Sequence, residues 1–237
     1  MNRYVIALAA FLLQLCIGTV YSLSIFSSAL VKLFGQEWSD VAALAFSIAV
    51  SCMGFTCIVS GIIEKQKGPK FTGTVCSVLY LLGHLLAAFS VHIEQKYLFL
   101  FSFGLSGIGF GFGYVTPVSS VVQWFPDLRG LSGAFSVIGF GSGPIVSGLI
   151  YPTILDNFGI VTNLVSVALV GSLTIFLMCR VIRRPPKDWI PKGMCSKSRA
   201  EIKNEVQIPV KKSPKSSSLL ESLVRGVVVL LSRCCYF

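Results

Sequence analysis

The chain has 237 residues, 54% of them hydrophobic and only 13% charged, with a mean hydropathy of +0.77. Soluble domains carry about 25% charged residues, so this composition excludes a body wholly surrounded by water and predicts one that faces lipid. The net charge of +10 does not indicate nucleic acid, because most Lys and Arg lie from Arg180 onward and the first 180 residues are nearly balanced; a basic tail beside apolar runs is a topology signal.

A helical bilayer crossing needs about 20 mostly apolar residues. Six stretches meet this, at 4–33, 41–63, 71–92, 97–123, 130–155 and 161–182. Helices are expected because backbone groups in lipid must be satisfied internally, and no stretch alternates as a barrel strand does. The predicted fold class is therefore an all-α integral membrane protein, a six-transmembrane-helix bundle over residues 1–182.

The connections are short. Arg3 precedes the first span, "FGQEWSD" (34–40) is acidic, "EKQKGPK" (64–70) is basic, and "HIEQK" (92–96) and "FPDLRG" (125–130) are balanced. "LDNFG" (155–159) is acidic and the segment after Arg180 strongly basic. Basic segments stay cytoplasmic, which places the N-terminus, the 64–70 loop and the C-terminal tail inside. Residues 183–218, rich in Pro, Lys and Ser, read as a solvated basic linker. Residues 219–237 turn apolar again, as an amphipathic surface helix or the start of a seventh span. The final "CCYF" has only the outline of a prenylation box. No cleavable signal is evident.

Cys16, Cys52, Cys57, Cys76 and Cys179 sit in apolar runs with no CxxC pair. They read as small apolar side chains, so neither a metal site nor a cofactor is expected. "GIGFGFGYVTPVSSVVQWFPDLRG" (107–130) places glycines at alternate positions from Gly107 to Gly113. A dinucleotide fingerprint needs G-x-G-x-x-G between a strand and a helix, and this spacing does not match it. On a helix Gly104, Gly107 and Gly111 share one face, while Gly109 and Gly113 are four apart; small residues so spaced let membrane helices approach closely. The fifth stretch repeats the theme with Gly130, Gly139, Gly143-Pro144 and Ser147-Gly148. Its mid-span proline removes a hydrogen bond and bends the helix.

This fifth-span pattern resembles the antiporter motif of the major facilitator superfamily, with Ser147 where a glycine is usual. "GIIEKQKGPK" (61–70) resembles the superfamily's signature loop: Gly61, Gly68 and Lys70 are in place, while Lys65 stands where an acidic residue is usual and Glu64 lies one place early. "WFPDLRG" (124–130), "LLQLCIGTVYSLSIFSSAL" (12–30), "AFSI" (45–48), "GPK" (68–70) and "RRPPKDWIP" (183–191) look like the oxalate/formate antiporter branch and its monocarboxylate relatives. The resemblance covers residues 3–191 and implies the first of two six-span halves around a central cavity. The basic residues that pair with carboxylate substrates come from the second half in that branch and have no counterpart here.

The resemblance implies a substrate path lined by Gln14, Gly18, Tyr21 and Tyr114. The first three lie on one face of a helix, and Gln14 reads equally well as an interhelix hydrogen-bond partner. Asp127 and Arg129 read as a conformational contact tying spans four and five, together with Gly61, Lys65, Gly68, Lys70, Gly139, Gly143 and Pro144. Trp124 reads as an interfacial anchor, and His84 as a packed core histidine.

The expected partners are the lipid bilayer, a small carboxylate with or without a proton, and a second copy or another half, since one bundle cannot enclose a cavity. Nucleic acid is not among them. The membrane, plasma or organellar, is not distinguished. Alternating access needs no catalytic residue, so no enzyme is expected. Two alternatives stand beside transport: a truncated or non-transporting membrane subunit, and an intramembrane serine protease. The latter rests on "GLSG" (104–107), where Ser106 needs a histidine base, yet His84 and His92 both come earlier than that family places it.

Overall fold

The apolar stretches fold as helices, and every regular element among the described residues is helical. The computed structural model describes residues 2–186; nearly all of the 183–218 linker, and the whole of the 219–237 tail with its terminal CCYF, lie outside them. Helix α1 (Arg3–Gly18) starts under the Asn2 side chain, which accepts from the Tyr4 N–H at 3.3 Å. It tightens into a 3₁₀ turn at Thr19–Ser22 and continues as α2 (Leu23–Phe34), so the two form one crossing. Helix α3 (Val41–Lys67) stops at Gly68, whose φ of 85° few other residues adopt. Helix α4 (Pro69–His92) begins on a proline, which has no N–H to leave unsatisfied there. Helices α5 (Lys96–Trp124) and α6 (Arg129–Val181) follow.

Five helical stretches are long and apolar enough to cross a membrane, one fewer than the six expected. The difference lies in α6, whose 53 residues hold both of the last two predicted spans. Straight, it would run about 80 Å at about 1.5 Å per residue, well over twice a bilayer core of about 30 Å. It is not straight. The backbone leaves helical geometry at Gly159 (φ 79°, ψ 173°). Asn163 Nδ2 donates to Tyr151 O at 3.1 Å, a pair that a continuous helix would hold about 18 Å apart. The chain therefore folds back on itself around Gly159.

Ion pairs and hydrogen bonds sort the connections into two ends. Arg3 pairs with Asp127 at 3.0 Å, and Arg184 with Glu64 at 3.6 Å, so the starts of α1 and α6 and the ends of α3 and α6 share one end. Lys96 meets Glu37 at 2.7 Å at the other.

Between the ends, the glycines of α5 form two stripes. A Cβ on Gly111 would lie 2.5 Å from Thr56 Cβ, and one on Gly107 would meet the Ala49 backbone, so this stripe faces α3. On Gly109 it would lie 2.9 Å from Leu79 Cβ and on Gly113 2.5 Å from Cys76 Sγ, both on α4. The alternating glycines thus seat one helix against two neighbours at once, as small residues do in lipid. Outward faces carry Phe55, Phe101 and Leu149, more than three-fifths exposed, as a surface solvated by acyl chains allows. The chain is a multi-pass, all-α membrane protein.

Candidate functional site

The site begins where α1 and α6 touch through their backbones. Pro144 has no N–H to offer the Phe140 carbonyl, one turn back, and Gly18 lies directly against that carbonyl. A Cβ on Gly143 would in turn sit 2.5 Å from the Gly18 carbonyl carbon, and one on Gly139 2.7 Å from Phe11 O. Gly18, Gly139, Gly143 and Pro144 thus form one crossing. Immediately beyond it α1 tightens into its 3₁₀ turn. Ser22 Oγ there donates to Ser147 Oγ, which donates on to Gly143 O at 2.8 Å. The residue standing in place of the usual glycine has become a tie between the two helices.

Gln14, Gly18 and Tyr21 do not share one degree of burial. The 3₁₀ turn changes the angular step between residues, leaving Gln14 and Gly18 buried while Tyr21 is 45% exposed. Gln14 Nε2 donates to Tyr114 O at 3.2 Å, but its Oε1 is buried with no hydrogen-bond partner among the described residues. Tyr21 and Tyr114 each pack edge-on against Phe140, at centroid distances of 5.3 and 5.2 Å, and Phe46 lies 5.3 Å from Tyr21. The structure therefore gathers Tyr21 and Tyr114 around Phe140 and ties Gln14 to the Tyr114 backbone. That phenylalanine was missed from sequence, although it lies one residue after Gly139 and one turn before Pro144.

The signature-loop residues occupy the end where α3 stops. Gly61 is loosely packed, with Val115 Cγ1 4.0 Å from where a Cβ would stand; Gly68 turns the chain, and Lys65 and Lys70 are exposed. Glu64 is 3% exposed. Its carboxylate oxygens each lie 2.8 Å from Ser119 Oγ of α5, and Arg184 Nη2 approaches at 3.6 Å. Arg184 also donates to Lys65 O at 3.2 Å and to Glu64 O.

Asp127 is held by Arg3, which ties the loop to the first span. Trp124 corrects the anchor expectation: it is 5% exposed, and its Nε1 donates to Arg183 O at 2.6 Å, so it serves the protein interior. These ties join residues up to about 120 apart in sequence. The one signal available for them was a lone carboxylate beside an apolar span.

Ser106 lies 3.4 Å from His84 Nδ1 after all. That nitrogen is also 2.9 Å from Tyr80 O, a carbonyl that can only accept, so Nδ1 carries the proton and cannot take one from the serine. Ser106 is fully buried, and His84 stacks on Tyr80 at 4.2 Å. The pair packs α4 against α5 and does not form a nucleophile and its base.

Comparison with known proteins gives three results. The family model for the Major Facilitator Superfamily matches residues 7–237. The uncharacterized MFS-type transporter YhjX of Escherichia coli (strain K12) is 27% identical over 187 residues, covering 79% of this chain and 46% of that protein. Two structures of XylE share 13% identity. The xylose transporter from E. coli in an inward open conformation has a TM-score of 0.66 over 98% of this chain and 57% of its own. The proton:xylose symporter bound to 6-bromo-6-deoxy-D-glucose has 0.67 over 94% and 52%. At that identity the likeness concerns the fold alone. The chain spans about half the length of the relatives it matches.

Proposed function

Because the chain belongs to the Major Facilitator Superfamily, a family of transporters and not of enzymes, we propose that it is a six-crossing half of a secondary carrier for small carboxylates. Monocarboxylates, or oxalate and formate, are the substrate class. The half works by alternating access against a second copy or another half. The fold-back at Gly159 supplies the sixth crossing, and the basic end, with the N-terminus and the tail, faces the cytoplasm.

One observation carries this reading: the half-exposed aromatic cluster of Tyr21, Phe140, Tyr114 and Phe46, with the unpartnered Gln14 Oε1 buried beneath it. Two phenols offer donors, ring edges offer partial positive charge, and Tyr21 and Phe140 lie next to the α1–α6 backbone crossing. The compensating cation belongs to the other half. The resemblance of "WFPDLRG" and of the first span to the oxalate/formate branch supports carboxylate as the substrate class.

The test is the oligomeric mass of the chain in mild detergent, followed by uptake of labelled oxalate, formate and lactate into liposomes. A dimer of this 25.6 kDa chain with uptake is expected. Tyr114→Phe should raise KM about tenfold, the loss of one hydrogen bond to a charged ligand. A monomer that binds no carboxylate counts against independent transport. A membrane subunit that does not itself transport is the second reading, favoured by Lys65 at the acidic signature position. Its signature is co-purification with a complete carrier and no flux alone.

A further inference from the structure

At the end of the bundle where α3, α4 and α6 meet, exposed cations collect on three elements. Lys65 and Lys67 close α3, Lys70 lies in the first turn of α4, and Arg180 and Arg183 follow one another out of α6. Two contacts bring them together. Arg184 reaches back to Lys65 O at 3.2 Å, and Gly73, on the turn after Lys70, packs directly on Cys179, the neighbour of Arg180. Among the described residues the carboxylates at this end, Glu64 and Asp127, are already engaged by Arg184 and Arg3. The corner therefore keeps a strong local excess of positive charge.

Two features distinguish this corner from a charged rim facing bulk water. First, its cations lie back over aromatic rings: Lys67 Nζ is 4.8 Å from the centroid of Phe71, and the Arg180 guanidinium 4.5 Å from that of Phe176. Their charges are thus held close to the apolar boundary. Second, each leading cation tops an exposed apolar stripe. Leu173 and Leu177, 59% and 48% exposed, descend from Arg180 at spacings of one turn. Val78 and Leu82, 48% and 50% exposed, continue the face of Lys70 on α4. A ligand fitting this surface has an anionic head beside a long hydrocarbon body.

We propose that this corner binds the headgroup of an anionic phospholipid, with its acyl chains along the α4 and α6 stripes. Basic clusters between membrane helices at the headgroup level recognise such lipids, and Lys65 at the usually acidic signature position strengthens this one. The site is separate from the aromatic cluster proposed for substrate, and it does not depend on transport.

The test is native mass spectrometry of the full chain in detergent titrated with phosphatidylglycerol or phosphatidylcholine. The expected result is preferential retention of phosphatidylglycerol. Neutralising Lys67, Lys70 and Arg180 together (K67Q/K70Q/R180Q) should weaken it by about fivefold per charge, on the order of a hundredfold in all. The charge-preserving K67R/K70R/R180K should retain it, which separates loss of charge from loss of fold. Equal retention of the two lipids, or unchanged retention in the neutralised variant, overturns the proposal. So does displacement of the lipid by millimolar inorganic phosphate, which would reassign the corner to a free anion.

Discussion

Gly141 and Gly143 lie two residues apart in the same proline-bearing helix, and a methyl group added to each meets opposite surroundings. At Gly143 it would sit 2.5 Å from the Gly18 carbonyl carbon and 2.8 Å from Leu15 O, backbone atoms that cannot step aside. At Gly141 nothing lies within 4 Å. Gly143→Ala should therefore destabilise the protein by about 2 kcal/mol, the cost of overpacking a closed contact. Gly141→Ala should be neutral or gain up to about 1 kcal/mol from helix propensity. Unfolding of both variants in one detergent checks this. Equal effects would mean that α1 and α6 do not cross through their backbones. The motif resemblance singles out Gly143 and passes over Gly141, and the partner helix supplies the physical reason. Gln14 poses a difficulty: its amide was visible inside an apolar span, whereas the single bond it makes, to Tyr114 O, depends on a residue 100 positions away.

Elements were more legible than their joins. Each predicted apolar stretch is helical over nearly its whole length, the first with a 3₁₀ turn inside it, because about 20 apolar residues in lipid leave the backbone little other choice. The breaks were harder. At Thr19–Ser22 only the preceding Gly18 hints at the 3₁₀ turn; Thr19 Oγ1 donates back to Cys16 O at 2.7 Å just where α1 has been pressed against α6. Around 155–159 the sequence predicted a loop, yet helical geometry continues up to Gly159 and resumes at once. The reversal rests on that residue. A φ of 79° with ψ 173° lies in a region essentially reserved for glycine. Gly159→Ala should cost about 2 kcal/mol, and Asn163→Leu, which removes the bond to Tyr151 O, about 1 kcal/mol. Gly148→Ala, with open space around it, serves as the neutral comparison. Thermal unfolding of the three variants ranks them, and a Gly159→Ala protein as stable as the Gly148→Ala one would rule out the fold-back.

The proposed rocking of this half against a partner requires it to move as one body, and the helix ends are where a bundle frays. Here three elements are tied at one end: α3 through Glu64, α5 through Ser119, and the chain leaving α6 through Arg184. The Glu64 side chain is 4% exposed and that of Arg184 36%. Losing the arginine strands a buried carboxylate, whereas losing the carboxylate leaves a cation that can turn to water. The two single changes should therefore be unequal. Arg184→Gln should cost about 2–3 kcal/mol. Glu64→Gln should cost less, because an amide can still meet Ser119. The double variant should recover part of the loss, giving a coupling of about 1–2 kcal/mol in a double-mutant cycle. Hydrogen exchange supplies the whole-molecule readout: in Arg184→Gln the amides closing α3 and α6 should exchange faster, while those around Gly18 and Gly143 stay protected. A coupling near zero would mean that Glu64 is satisfied by Ser119 alone. The unity of the bundle would then rest on glycine-mediated contacts along its length, with Arg3–Asp127 as the ionic tie described at that end.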